Sequence, residues 1–121
     1  MARLGDLERQ VMEILWADFG SELTGRAVAA RLPEHAYTTV LTVLGRLERK
    51  GLVRRERSAQ THRYSAIDSR EAYVAEIMHE ALDATSDRDA ALVRFAQTVT
   101  GPEAKVLIRA LGRPKPTGRA T

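Results

Sequence analysis

Leu4, Leu7, Val11, Ile14 and Leu15 recur at three- and four-residue spacing, which predicts an amphipathic helix from about Asp6 to Trp16 that ends inside a core. The segment from Asp18 to Leu23 contains Gly20 and Ser21 and is expected to be a loop, with a short strand around Glu22 and Leu23. Thr24 can accept a backbone hydrogen bond as the N-cap of a short helix bearing Ala27, Val28 and Leu32, which Pro33 ends because it has no N–H to continue the ladder. The pattern resumes with Val40, Val43, Leu44 and Leu47 on one side of a third helix, capped by Tyr37 or Thr38 and stopped by Lys50 and Gly51.

Period-two patterning follows. LVRRER and THRYSAI predict two strands joined through Ser58, Ala59 and Gln60, anchored by Leu52, Val53, Tyr64, Ala66 and Ile67. Three further helices are expected. Asp68 with Glu71 opens one that runs to about Ala84, Ser86 with Asp89 opens a second, and Thr100, Pro102 and Glu103 open a third that stops at Gly112. Their apolar positions include Tyr73, Val74, Ile77, Met78, Leu82, Leu92, Phe95, Val99, Leu107 and Leu111. Three short amphipathic helices cannot bury all these stripes among themselves, so they require the first domain or another chain.

The polar positions of the third helix change the picture from architecture to function. On a helical wheel, Thr38, Thr39, Thr42, Arg46 and Arg49 fall in one sector, with Lys50 beside them, opposite the apolar sector. From His35 to Tyr64 the chain sets Arg46, Arg49, Lys50, Arg54, Arg55, Arg57 and Arg63 against Glu48 and Glu56, a formal charge of about +5. The whole chain has a net charge of +3, and residues 65–112 sum to about −3. Positive charge is therefore concentrated on one helix face and one hairpin, as a phosphate-binding surface requires.

The fold class this predicts is mainly α with a small β-hairpin wing. A winged helix-turn-helix domain occupies residues 1–68, a helical region whose stripes need the first domain or another chain residues 69–112, and a basic tail rich in proline and glycine, expected to be disordered, residues 113–121. The third helix would enter a DNA major groove, where Thr39 and Thr42 can touch thymine methyls or base edges and Arg46 a guanine edge or a phosphate. Arg54, Arg55, Arg57, His62 and Arg63 in the wing would contact phosphates, positioning the domain without specifying sequence. Two rival readings share this architecture: an interaction module whose arginines meet an acidic protein, and a regulator that senses a small molecule in its helical half.

Other classes fall away. The 121 residues include no cysteine, so disulfides and thiolate metal sites are excluded. His35, His62 and His79 have no ligand spacing, and no nucleophile motif or glycine-rich phosphate loop occurs. No enzyme activity, metal or cofactor is expected. Apolar runs are too short to span a bilayer and the N-terminus is unlike a signal peptide, so the expected location is cytoplasmic, without membrane insertion.

In LGDLERQVMEILW, AYTTVLTVLGRLERKGLV, HRYSAI, AALVRFAQTV and LIRAL the chain resembles the BlaI/MecI family of penicillinase repressors over nearly its whole length. The resemblance implies a homodimer, with residues 69–112 as its C-terminal helical dimerisation region, that binds a palindromic operator in double-stranded DNA and blocks transcription, as regulators of β-lactamase genes do. It assigns major-groove contacts to Thr38, Thr39, Thr42 and Arg46 and phosphate contacts to the Arg54–Arg63 hairpin. It also implies a partner, a membrane sensor protease that cuts relatives at an Asn-Phe pair. Arg94 and Phe95 occupy that place here, with arginine standing for asparagine. The copper-responsive branch uses C-terminal cysteine pairs, so sensing by that route is excluded.

Overall fold

The computed structural model describes residues 3–58 and 60–113. Two compact units divide the chain, Met1–Glu80 and Ala81–Thr121.

The first unit holds α1 (Asp6–Ala17), β1 (Leu23–Thr24), α2 (Gly25–Ala30), α3 (Tyr37–Arg49), β2 (Val53–Arg57), β3 (His62–Ala66) and most of α4 (Arg70–Leu82). Val11, Met12 and Leu15 of α1 meet Val28 of α2 and Val40, Val43, Leu44 and Leu47 of α3 in one core. Each of these apolar side chains contributes about 1.5–3 kcal/mol by leaving water. Thr24 caps α2 as its sequence position predicts, accepting from the Ala27 amide at 3.1 Å. Pro33 lies beyond the end of α2, where Arg31 and Leu32 close the last turn through bonds to Val28 and Ala29.

Gly51 ends α3 with φ +80°, a conformation that costs any L side chain. Its amide donates to the Glu48 carbonyl and the Leu52 amide to the Leu47 carbonyl, both at 3.0 Å. This paired closure satisfies the last carbonyls of α3 and sends the chain directly into β2.

The expected hairpin is part of a three-stranded antiparallel sheet in the order β1-β3-β2. Leu23 lies opposite Tyr64, and Val53, Arg55 and Arg57 lie opposite Ala66, Tyr64 and His62. Leu52, Val53, Tyr64 and Ala66 are buried at its base, whereas Ile67, expected to anchor with them, is exposed.

Three helix starts differ in detail from their predicted caps. Neither Tyr37 nor Thr38 caps α3: Ala36 holds that position and supplies no side-chain acceptor. Ser69, not Asp68, caps α4 by accepting from the Ala72 amide at 3.1 Å. Asp68 instead offers its carbonyl to the Trp16 indole N–H at 3.2 Å. That bond, with the Trp16 and Tyr73 rings 5.2 Å apart and Arg70 paired with Glu13, docks the start of α4 on α1. The first unit therefore extends past residue 68, where the domain boundary was expected.

In the second unit, α5 (Arg88–Thr98) begins at Asp87 rather than Ser86, with the Asp87 carboxylate accepting from the Ala90 amide at 3.0 Å. The third start, at α6 (Gly101–Leu111), follows its prediction: Thr100 and Glu103 exchange hydrogen bonds in a capping box. Neither helix buries a residue. Residues 114–121, most of the predicted tail, lie outside the described residues.

Candidate nucleic-acid interface

The 13 residues of α3 place Val40, Val43, Leu44 and Leu47 in the core, which forces the opposite face into solvent. Thr38, Thr39, Thr42, Arg46 and Arg49 are all exposed there. The Thr42 hydroxyl donates to the Thr38 carbonyl at 3.0 Å. That bond ties the hydroxyl back to the backbone of α3 itself. Because Ala36 provides no cap, the first amides of α3 have no side-chain acceptor, and such a helix end suits a phosphate.

Beside α3 stands the wing. Facing residues of an antiparallel pair point to one side of the sheet, so Arg55, Arg57, His62 and Tyr64 share the side turned toward α3 while Arg54, Glu56 and Arg63 take the other. An open groove of about 690 Å³ separates the wing from the helix, lined by Gly25, Tyr37, Leu41, Gly45, Arg55, Arg57, His62 and Tyr64. Arg26, at the start of α2, stacks its guanidinium 4.7 Å from the Tyr37 ring at the head of α3.

The predicted cations are not equivalent. Among the described residues, Arg49, Arg54, Arg57 and Arg63 form no ion pair, whereas Arg55 lies 3.6 Å from Glu48. Lys50, placed beside the reading face on the wheel, turns inward to the Glu8 carboxylate at 2.8 Å. Arg46 remains 51% exposed but has its guanidinium 3.9 Å from the second Glu8 oxygen. Glu8 itself is only 5% exposed. It also accepts from the Gly5 amide at 2.8 Å. The Lys50 hydrogen bond, then that of Gly5, holds its carboxyl below the ordinary carboxylate range, against the opposing effect of burial.

Sequence reasoning missed Glu8 and Arg26 as members of this surface. The signal for Glu8 was present: it stands at i, with Val11, Met12 and Leu15 at i+3, i+4 and i+7, so a carboxylate occupies the apolar stripe of α1. Arg26 carried no comparable signal, since its partner Tyr37 is apparent only once α2 and α3 pack.

Of the residues expected to pair two chains, Tyr73 is a core residue of the first unit, also 5% exposed and set against Trp16. Ile77 packs partly against the same core. Val74, Met78, Leu92, Phe95, Leu107 and Leu111 are exposed, and Val99 and Leu82 are half-buried. Arg94 and Phe95 lie within α5 on exposed positions. Among the described residues no group of His, Asp and Glu side chains is arranged to hold a metal ion.

Comparison with known proteins agrees with this geometry. Across 91% of the chain the fold is similar to a MarR family protein from Bacillus stearothermophilus, covering 71% of that chain with a TM-score of 0.51 at 20% identity. A mutant of the S. aureus protein MepR gives a TM-score of 0.50 at 21% identity, covering 89% of this chain and 75% of that one. These likenesses establish the winged-helix fold. In sequence, the transcriptional regulator BlaI of Mycobacterium tuberculosis is 42% identical over 134 aligned positions, covering 100% of this chain and 96% of the relative. The penicillinase repressor profile matches residues 4–113. With that match spanning nearly every residue of both units, the chain belongs to the penicillinase repressor family.

Proposed function

We propose that this protein is a transcriptional repressor that binds operator DNA as a homodimer, with α3 in the major groove and the wing along the backbone. The observation that carries the reading is the exposed face of Thr38, Thr39, Thr42 and Arg46 on α3 beside a wing whose Arg54, Arg57 and Arg63 form no ion pair among the described residues, Arg57 on the side toward α3 and Arg54 and Arg63 on the other. A major groove admits a helix of this kind, and phosphates attract the flanking guanidiniums. Threonines and Arg46 would choose the sequence; wing cations, with His62, would fix register and supply salt-sensitive affinity. The protein is a regulator and not an enzyme, and it acts where the DNA is, in the cytoplasm. Among the described residues no helix is long and apolar enough to cross a membrane.

Pairing of two chains is supported by the apolar surface of the last three helices. Val106, Leu107, Ile108 and Leu111 of α6 are exposed, Ile108 by 72%, and α5 adds Leu92, Val93 and Phe95. So many large apolar side chains in water mark an interaction surface. Two reading helices related by a two-fold axis would make the operator palindromic, with half-sites about one helical turn apart or a multiple of it. The match to the penicillinase repressor family supports β-lactamase genes as the expected targets.

Release by a membrane sensor protease would require a cut at Arg94–Phe95. That bond lies in the interior of α5, so α5 must open before a protease can bind the backbone as an extended strand.

The test is a gel-shift titration at low salt with random duplex and with DNA flanking the coding region, followed by footprinting. Protected, dyad-symmetric sequence is expected in the flanking DNA. No affinity for any duplex at low salt would refute DNA binding and leave a protein partner for the basic surface.

A further inference from the structure

Among the described residues Glu8 is the buried carboxylate beside the basic surface, set in the first turn of α1 with one oxygen satisfied and the other short of a hydrogen-bond partner. The satisfied oxygen accepts from Gly5 N–H and from Lys50 Nζ, each at 2.8 Å. The other faces the Arg46 guanidinium at 3.9 Å, an ion-pair distance too long for a hydrogen bond. Lys50 caps the C-terminal end of α3 and Arg46 lies one turn earlier on its exposed face. A single carboxylate from a different helix thus faces two of the three cations at the end of the reading helix, Lys50 and Arg46, while Arg49 forms no ion pair among the described residues.

We propose that Glu8 is a positioning residue for sequence discrimination: it keeps Lys50 and Arg46 from acting as free phosphate-binding cations, and so reserves Arg46 for a base edge. This rests on the DNA-binding reading above. A cation that binds any phosphate adds equally to operator and random DNA, which raises affinity and salt dependence without discrimination. A guanidinium held on one side by a fixed carboxylate keeps a restricted direction, and bidentate contact with guanine needs such a direction. Arg54, Arg57 and Arg63 have no comparable partner among the described residues, and they are the cations suited to the backbone. Glu8 therefore separates two kinds of arginine on one surface.

Glu8→Gln keeps the side chain's shape and its acceptor for Gly5 while removing the charge. The variant should bind random duplex about fivefold to tenfold more tightly at 0.1 M salt, with the log–log salt slope steeper by about one for each cation released. Its preference for operator over random DNA should fall. The change in slope should shrink when Arg46→Ala is added, and vanish when Lys50→Ala is added as well. An unchanged slope in folded Glu8→Gln, or an equal change with both cations absent, overturns the proposal.

A second arm leaves Glu8 in place and is independent of how Glu8 variants fold. Arg46→Ala should lower the operator preference while moving the random-duplex slope by less than about half a unit, whereas Arg54→Ala lowers that slope by about one. A full unit lost with Arg46→Ala overturns the proposal. Wild-type protein without affinity for random duplex would instead remove the DNA-binding reading itself, so the two failures are distinguishable.

Discussion

Around the end of α3, three neighbouring residues show how little residue type alone decides. Arg49 is free in solvent, Lys50 is drawn to Glu8, and Gly51 carries φ +80° so that the chain can enter the wing. Gly51→Ala forces a side chain into the left-handed region and should cost about 1 kcal/mol, read as a lower denaturation midpoint with an unchanged slope. Nothing obstructs a Cβ there, so a larger loss would point to a cause other than backbone conformation. Tyr73 gives the opposite expectation. Its hydroxyl is buried without a hydrogen-bond partner among the described residues, so Tyr73→Phe should leave stability equal or raised, while Tyr73→Ala should cost about 3 kcal/mol or more through lost packing on Trp16. Destabilisation by the phenylalanine variant would show that the hydroxyl has a partner. The exposed sector of α3 was legible in the sequence because helical phase alone settles it. The fate of Lys50 was not, because phase puts it within reach of solvent and of Glu8 alike, and only the packing of α1 against α3 decides between them.

At the level of elements, α1 braces the end of α3 and the start of α4. Its first turn holds the C-terminal end of α3 through Glu8, and its last turn holds the root of α4 through Trp16 and Glu13. The Glu8 carboxyl has its pKa lowered in the fold, so the charged form is favoured there relative to the unfolded chain. Its contribution to stability is complete at neutral pH and is lost as acidification carries the solution through the depressed value. Acid titrations of unfolding should show Glu8→Gln losing less stability than wild type between neutral and strongly acidic pH, and parallel curves would contradict the assignment. Helix order, the glycine stop and the two wing strands were all legible from periodicity and turn residues. Two features were not. β1 has only Leu23 and Thr24, too few for alternation to register, and its pairing to β3 depends on contacts distant in sequence. Tyr73 shares its spacing with the exposed stripe of α4, so spacing could not show that it turns toward Trp16.

For the whole molecule, the chain divides into compact units after Glu80, beside a division of labour expected from the sequence after residue 68. Residues up to Glu80 form a unit with a core of its own, while α5 and α6 contain no buried residue. An apolar stripe reveals that a partner is needed without identifying it, which is why pairing remains a proposal when the stripe itself is plain. Leu107→Glu combined with Phe95→Glu should convert the protein to monomer in sedimentation at micromolar concentration and weaken operator binding, with random-duplex binding per reading unit retained. A dimer that survives both charges would place the pairing surface elsewhere. The wing has a consequence for the free protein as well. In the order β1-β3-β2, β2 is an outer strand with one row of backbone groups unpaired by the sheet, the sort of margin on which stray chains can align. Arg54, Arg55, Glu56 and Arg57 crowd that margin with charge on both faces. Until DNA arrives, the side chains suited to hold it also discourage the wings of separate molecules from joining into a shared sheet.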